Sequence, residues 1–219
     1  MNNNPHRVLA DAAGAVGSNQ QSQSTSPLPI FQPRGTVSPP TSSSDGGASR
    51  PRSLLDWALA YASYGFRVFP LHSVRNERCT CGHDCGKDAA KHPRVAGGFK
   101  AATTDAEQIK AWWAKWPDAN VGIATGRASR LVVFDVDGTK GLTTLRTLIA
   151  RHGSLPRTPT VKTARGWHIW FRYPESDLPI PCSASDGLDV RGDGGYCAAP
   201  PSIHASGHIY EFCEPDDVN

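Results

Sequence analysis

Two aspartates one residue apart, Asp135 and Asp137, end the apolar run Leu131–Phe134 in "RLVVFDVDGTKG". Side chains alternate along a strand, so both carboxylates face one way, roughly 7 Å apart along the chain. The four preceding residues are apolar on both faces, the pattern of a central, covered strand. Two like charges so close raise each other's pKa unless a cation lies between them. Oxygen-only ligands suit Mg²⁺ or Mn²⁺. A third carboxylate, Asp189, ends "GLD" on a second acidic segment. His168 begins a strand just after the tight turn in "KTARGWHIWF". Lys162 and Arg165 flank that turn, and Arg191 follows Asp189 by two residues on the same face. Cations beside a histidine suit polyphosphate. Three acids for two divalent ions and a cationic group for a triphosphate are the parts of metal-dependent nucleotidyl transfer. The glycines of "RGDGGY" fit either backbone contact with phosphate or a plain turn.

The same letters admit two other readings. "DVDGT" also opens haloacid-dehalogenase-like phosphatases, with the first Asp as nucleophile. That chemistry needs a downstream Lys and a later acidic pair after an apolar strand, on a Rossmann-like sheet. The only adjacent acidic pair after Asp137 is Asp216-Asp217, in a polar stretch, and helix–strand alternation lapses after Gly153. A short motif without its context is weak. The third reading makes Asp137-Gly138 a plain turn and Asp135 a local cap. The stretch alone leaves it open.

A second cluster lies upstream. "CTCGHDCGKDAAKH" places Cys79, Cys81 and Cys85 beside His83 and His92. Three thiols in so short a span, with histidine close by, point to zinc, which takes four sulfur or nitrogen ligands in a tetrahedron. A reducing compartment argues against a disulfide. The residues alone leave the fourth ligand open between His83 and His92. Four protein ligands close such a site, so its role is structural or a grip on nucleic acid. Cys182, Cys197 and Cys213 are unclustered and are expected to be buried small residues.

The elements that must position these groups are mixed. Ser53 caps a helix through "LLDWALAYASYG", closed by Gly65. "FRVFPLH" reads as a strand. Thr104 begins a second helix, with Glu107 completing a capping box. Ile109, Trp112, Trp113 and Trp116 keep helical spacing and read as core, and Pro117 ends the helix. "NVGIATG" and "RLVVFDVD" are consecutive strands, and "LTTLRTLIARHG" is a third helix. "TPTVKT" and "GWHIWFRY" form a hairpin about "ARG"; "GLDVRG", "YCAAPPS" and "HIYEF" are short strands. The late connections are too short for crossover helices. The fold class is therefore α+β with a largely antiparallel sheet, rather than a doubly wound one.

Residues 1–52 are rich in Ser, Gln, Asn, Pro and Gly and almost free of large apolar side chains, so a disordered tail is expected. They hold four Lys/Arg against two Asp/Glu, which leaves 19 against 18 for the rest and a net charge of +3 overall. A field this weak does not by itself call for nucleic acid, so any such contact must come from a local patch. No apolar run approaches the ~20 residues of a membrane span, and "RVLADAAGAVG" is a poor secretory signal, so the default location is cytoplasmic.

Together, "LVVFDVDG", "TARGWHIWF" and "LDVRGDGGYCAAPPSIHASG" resemble the prim-pol domain of bifunctional DNA primase/polymerases, of the archaeo-eukaryotic primase superfamily, often encoded by phages and plasmids. The likeness runs from about Leu54 to Phe212, and "NVGIATG" and "GKDAAKHPR" fit the same pattern. It implies a prim-pol catalytic domain over 53–213, with a zinc-binding insert at 79–92 and a polar end at 214–219. The fold implied is an RRM-like catalytic sheet joined to an N-terminal α/β unit. Asp135, Asp137 and Asp189 match the metal-binding acids, and His168 the nucleotide-contacting histidine. Related inserts end in "KHP", which selects Cys79, Cys81, Cys85 and His92 as the zinc ligands, with His83 as substitute. The second motif departs from the usual pattern: Ala164-Arg165-Gly166 stands where Ser and paired Gly are common, so Arg165 takes over phosphate contact. The activity implied is DNA primase or polymerase chemistry with Mg²⁺ or Mn²⁺, a DNA template and dNTP or NTP substrates. Family members commonly continue into a helical primase-associated region and a helicase. Neither follows Phe212 here, which favours extension over independent initiation and makes such domains separate partners. A DNA-binding remnant without catalysis is the alternative.

Overall fold

The computed structural model describes residues 52–175, 177–214 and 218. The tail expected over 1–52 lies outside the described residues except for Arg52, as does most of the 214–219 end.

Helix α1 (Leu54–Ser63) starts where the sequence places it. The Ser53 hydroxyl accepts the Asp56 amide and the Asp56 carboxylate accepts the Ser53 amide, a reciprocal capping box. Helix α2 (Ala106–Lys115) begins slightly later than expected at Thr104, because the Asp105 carboxylate takes the capping position and accepts the Glu107 amide. It buries Ile109 and Trp113. Trp112 and Trp116 are only half-buried, with the Arg94 guanidinium 5.2 Å from the Trp116 ring, so the tryptophan stripe has an outer edge rather than lying wholly in the core.

Strands β1 (Val68–Leu71), β4 (Asn120–Ala124) and β10 (Tyr196–Ala199) form a three-stranded sheet in the order β1-β4-β10. The larger sheet contains β5 (Leu131–Asp137), β6 (Thr160–Lys162), β7 (Gly166–Arg172), β8 (Ser183–Ser185), β9 (Leu188–Arg191) and β11 (Glu211–Cys213), in the order β11-β6-β7-β5-β9-β8. Every ladder in both sheets is antiparallel, as the short late connections require and unlike the sheet that a phosphatase reading needs. A two-stranded ribbon, β2 (Val74–Arg75) and β3 (Arg78–Cys79), opens the Cys/His insert. The strands of "NVGIATG" and "RLVVFDVD" are consecutive in sequence but belong to different sheets.

Strand β5 is central, flanked by β7 and β9. Leu131 and Val133 pack into the core shared with α1, α2 and the three-stranded sheet. Val132, Phe134 and Val136 pack on the other face against α3 (Gly138–His152), mainly through Leu145. Each such buried side chain contributes about 1.5–3 kcal/mol, so the position of β5 is fixed from both sides. Asp135 and Asp137 continue the Leu131–Val133 row where it leaves the core between the two sheets.

Candidate active site

The register of the larger sheet assembles the acids. Asp135 on β5 lies directly opposite His168 on β7 and opposite Asp189 on β9, so the three form one row across adjacent strands. Asp137 sits farther along β5, opposite Gly166. A Cβ on Gly166 would fall 1.8 Å from the Val136 carbonyl oxygen, so only glycine lets the "ARG" turn close onto β5. The Gly138 amide donates to the Arg165 carbonyl (3.0 Å), and the Asp137 amide to the Gly187 carbonyl (2.7 Å). The turns that precede His168 and Asp189 are thus both tied to the end of β5. Asp135 is mid-strand, which removes the reading of it as a cap. Asp137 occupies the N-cap position of α3 but makes no capping bond; its carboxylate accepts from the Arg165 guanidinium at 2.8 Å.

The carboxylates are held by cations. One Arg191 nitrogen donates to both Asp135 and Asp189, each at 3.0 Å, and His168 Nε2 lies 3.5 Å from Asp135. Burial pushes the Asp135 carboxyl up, but His168 and Arg191 outweigh it and hold the group well below the usual carboxylate range. Asp189 goes the other way: burial, with Asp135 and Asp137 nearby, raises it despite Arg191. Neighbouring carboxylates pushed apart in this way are a mark of functional sites. The oxygens of the three aspartates do not converge within 4.8 Å of one another as the Cys/His ligands do. They line one wall of a cleft of ≈ 500 Å³, a size suited to a nucleotide.

Arg165, Arg191 and His168 line the cleft with the acids, as expected. Lys162 does not. It pairs with Trp167 on the opposite face of the sheet, its ammonium 4.0 Å from that ring centroid. The cleft also has lining residues that the sequence did not mark. Lys87, Asp88 and Lys91 come from the Cys/His insert, and His204 and Tyr210 from the segment between β10 and β11. Burial and Arg165 lower Lys91; burial and Lys91 lower His204. Burial, with the Asp135 charge, raises Tyr210. The glycines of "RGDGGY" form a turn, in which the Gly195 amide donates to the Gly192 carbonyl (3.2 Å), and Gly194 and Gly195 line the cleft. Asp193 anchors this turn by accepting from the Tyr173 hydroxyl (2.6 Å), the Arg127 amide (2.8 Å) and the Ile180 amide (3.1 Å). Burial opposes its charge, but these donors lower its pKa.

In the insert, Cys79, Cys81, Cys85 and His92 bring their ligand atoms within 4.8 Å of one another. His92 Nε2 lies 3.2 Å from Cys79 Sγ and 3.3 Å from Cys85 Sγ, and Cys81 Sγ lies 3.1 Å from Cys85 Sγ. A zinc tetrahedron needs its ligands roughly 3.3–3.8 Å apart, so the set fits that ion with slight expansion. The hydrogen bond between Cys81 and Cys85 lowers the first thiol and, with burial, pushes the second up to about 12. His83 lies outside the cluster and engages the thiols only through its backbone. Of the remaining cysteines, Cys197 is buried and Cys213 half-buried; Cys182 is exposed at the cleft rim, contrary to expectation.

Among the described residues no helix is long and apolar enough to cross a membrane. No curated protein matches the chain significantly. A family model described as Prim-Pol, bifunctional DNA primase/polymerase, N-terminal, matches residues 58–219.

Proposed function

The chain belongs to the Prim-Pol family, the N-terminal domain of bifunctional DNA primase/polymerases, and on that premise we propose that its cleft performs template-directed nucleotidyl transfer. The observation that carries this reading is the cross-strand row Asp189–Asp135–His168, with Asp137 beyond it on β5. In this reading the larger sheet is the RRM-like catalytic sheet, and β1 and β4 with α1 and α2 are the N-terminal unit, which β10 joins from later in the chain.

Asp135, Asp137 and Asp189 are the residues to hold two divalent ions. Their donor set is all oxygen, and the guanidinium nitrogens of Arg191 and Arg165 already rest on these carboxylates, which fits a place built for positive charge. Bound there, Mg²⁺ or Mn²⁺ supplies an acidified primer 3′-hydroxyl and charge neutralisation at the leaving pyrophosphate. The cleft lining contains four aspartates and four Lys/Arg. The protein alone is thus close to balanced, and a triphosphate needs the surplus charge that the ions add. Arg165 and Arg191 orient phosphate oxygens and oppose the charge that builds up in the transition state. His168 contributes through Nε2, the nitrogen that faces Asp135. The Cys₃His set holds zinc, and its closed ligand shell makes that site structural. DNA is the template and dNTP or NTP the substrate.

Incubation with a primed template, labelled nucleotides and Mg²⁺ or Mn²⁺ tests this. Primer lengthening with pyrophosphate release is expected. Template binding without incorporation would replace the reading with a non-catalytic DNA-binding role. Release of inorganic phosphate with a covalent aspartyl-phosphate on Asp135 would replace it with phosphatase chemistry.

A further inference from the structure

We propose that Lys91 and His204 are a second phosphate grip, which receives the triphosphate tail of the incoming nucleotide at the Asp137 end of the acid row. This deepens the nucleotidyl-transfer reading above and rests on it. Lys91 is half-buried in the lining of the cleft, and its electrostatic neighbours are Arg165, Asp135, Asp137 and Asp88. Among the described residues no hydrogen bond or ion pair within 4.0 Å reaches its ammonium. Its charge is therefore uncommitted, on a residue that lines the cleft. His204 stands in the same electrostatic group, with Lys91, Arg165 and Asp137 around it. Its Nδ1 accepts the Ser206 amide at 3.1 Å, which places the proton of the neutral ring on Nε2 and leaves that N–H as a donor. Lys91, Arg165 and His204 line the same cleft and all feel the charge of Asp137, which Arg165 already pairs. The Lys91 ammonium and the His204 N–H are donors left for an anion with several oxygens, once divalent ions offset the aspartates.

The grip is built rather than accidental. Asn120, 1% exposed, joins its two halves. Its side-chain amide donates to the Ala90 carbonyl (3.0 Å) and the Ile203 carbonyl (2.8 Å), and its side-chain oxygen accepts the Ile203 amide (2.9 Å). Ala90 and Ile203 immediately precede Lys91 and His204. On the other side of Lys91, the His92 carbonyl accepts the His72 amide at 2.9 Å, and the Lys91 amide donates to the Asp88 carbonyl at 3.1 Å. Ala90 adopts φ +63°, a left-handed conformation that costs a non-glycine residue energy and persists only where the surroundings impose it. A buried amide that spends its bonds on two segments distant in sequence fixes the spacing of the side chains beside them.

The test is calorimetric binding to the full chain, in Mg²⁺, of a non-hydrolysable deoxynucleoside triphosphate and of the matching monophosphate. Lys91→Gln should weaken triphosphate binding by at least about tenfold, the value of one charged hydrogen bond, and leave the monophosphate unchanged. Lys91→Arg should stay within about threefold of the wild type, since it keeps the charge. His204→Gln should lose severalfold for the triphosphate only. Wild-type triphosphate affinity in both Lys91→Gln and His204→Gln would overturn the grip and leave the nucleotidyl-transfer reading standing. An equal loss for both ligands in Lys91→Gln would also overturn it. Absence of any triphosphate preference in the wild-type protein would overturn that reading itself.

Discussion

Asp135 is where the chemistry of individual residues is most concentrated: a half-buried carboxylate shared between His168 and Arg191, with Asp189 one strand away. These four were legible in the sequence because their types and strand parity carry the signal. Lys162 was not, because its strand is short and a one-residue difference in parity puts a side chain on the other face. Lys91 and His204 were not, because the contact that makes them cleft residues runs through Asn120, far from either in the chain. Asp193 was read only as part of a turn, yet it accepts three hydrogen bonds that fix the segment leading out of β9. Its lowered pKa means that the folded state binds fewer protons there than the unfolded chain does. The stability this adds is fully present above the unfolded value near ~3.9 and is lost as pH falls through the lower folded value. Asp193→Asn should therefore cost about 1–3 kcal/mol at neutral pH, and the gap to the wild type should close below about pH 4. Melting temperatures across that pH range check it; a gap that widens in acid would contradict the role given to this carboxylate.

The hairpin of β6 and β7 and the Cys/His insert both contribute lining to the cleft. The start of α1, the hairpin turn and the antiparallel character of the sheets were legible, since capping residues, glycines and connection lengths are local facts; α2 is capped by Asp105 instead of Thr104, and α3 starts at Gly138, ahead of the expected Leu142. The pairing of β4 with β1 and β10 rather than with β5 was not, because nothing local to "NVGIATG" states which sheet it joins. Gly166→Ala tests the hairpin. Its methyl would overlap the Val136 carbonyl, so the turn must lift from β5 and the melting temperature should fall by several degrees, with the change centred on the acid row. An unchanged melting temperature would mean that this close approach does not hold the site together. For the insert, elemental analysis should find one zinc per chain, lost in a Cys81→Ser, Cys85→Ser double variant; less than half an equivalent on the wild-type protein would remove zinc from the account. Zinc binding also contributes to folding stability, so chelation should lower the melting temperature.

On the scale of the whole molecule, two sheets share one core that takes in Leu131 and Val133, and the cleft lies farther along β5, at Asp135 and Asp137. The polar end of β5 lines it together with residues of the insert and of the segment before β11. The α+β class could be read from the order and spacing of elements, but the two-sheet arrangement and the insert's place at the cleft depend on long-range contacts that no periodicity encodes. The account's central claim is that this architecture presents Asp135, Asp137 and Asp189 to divalent metal for nucleotidyl transfer. The most direct test is primer extension by the wild type, Asp135→Asn and Asp137→Asn side by side, in Mg²⁺ or Mn²⁺, with circular dichroism on each protein. The account predicts template-dependent extension by the wild type and a loss of at least about a hundredfold in either variant with the fold retained. Near-normal extension by either folded variant would contradict it.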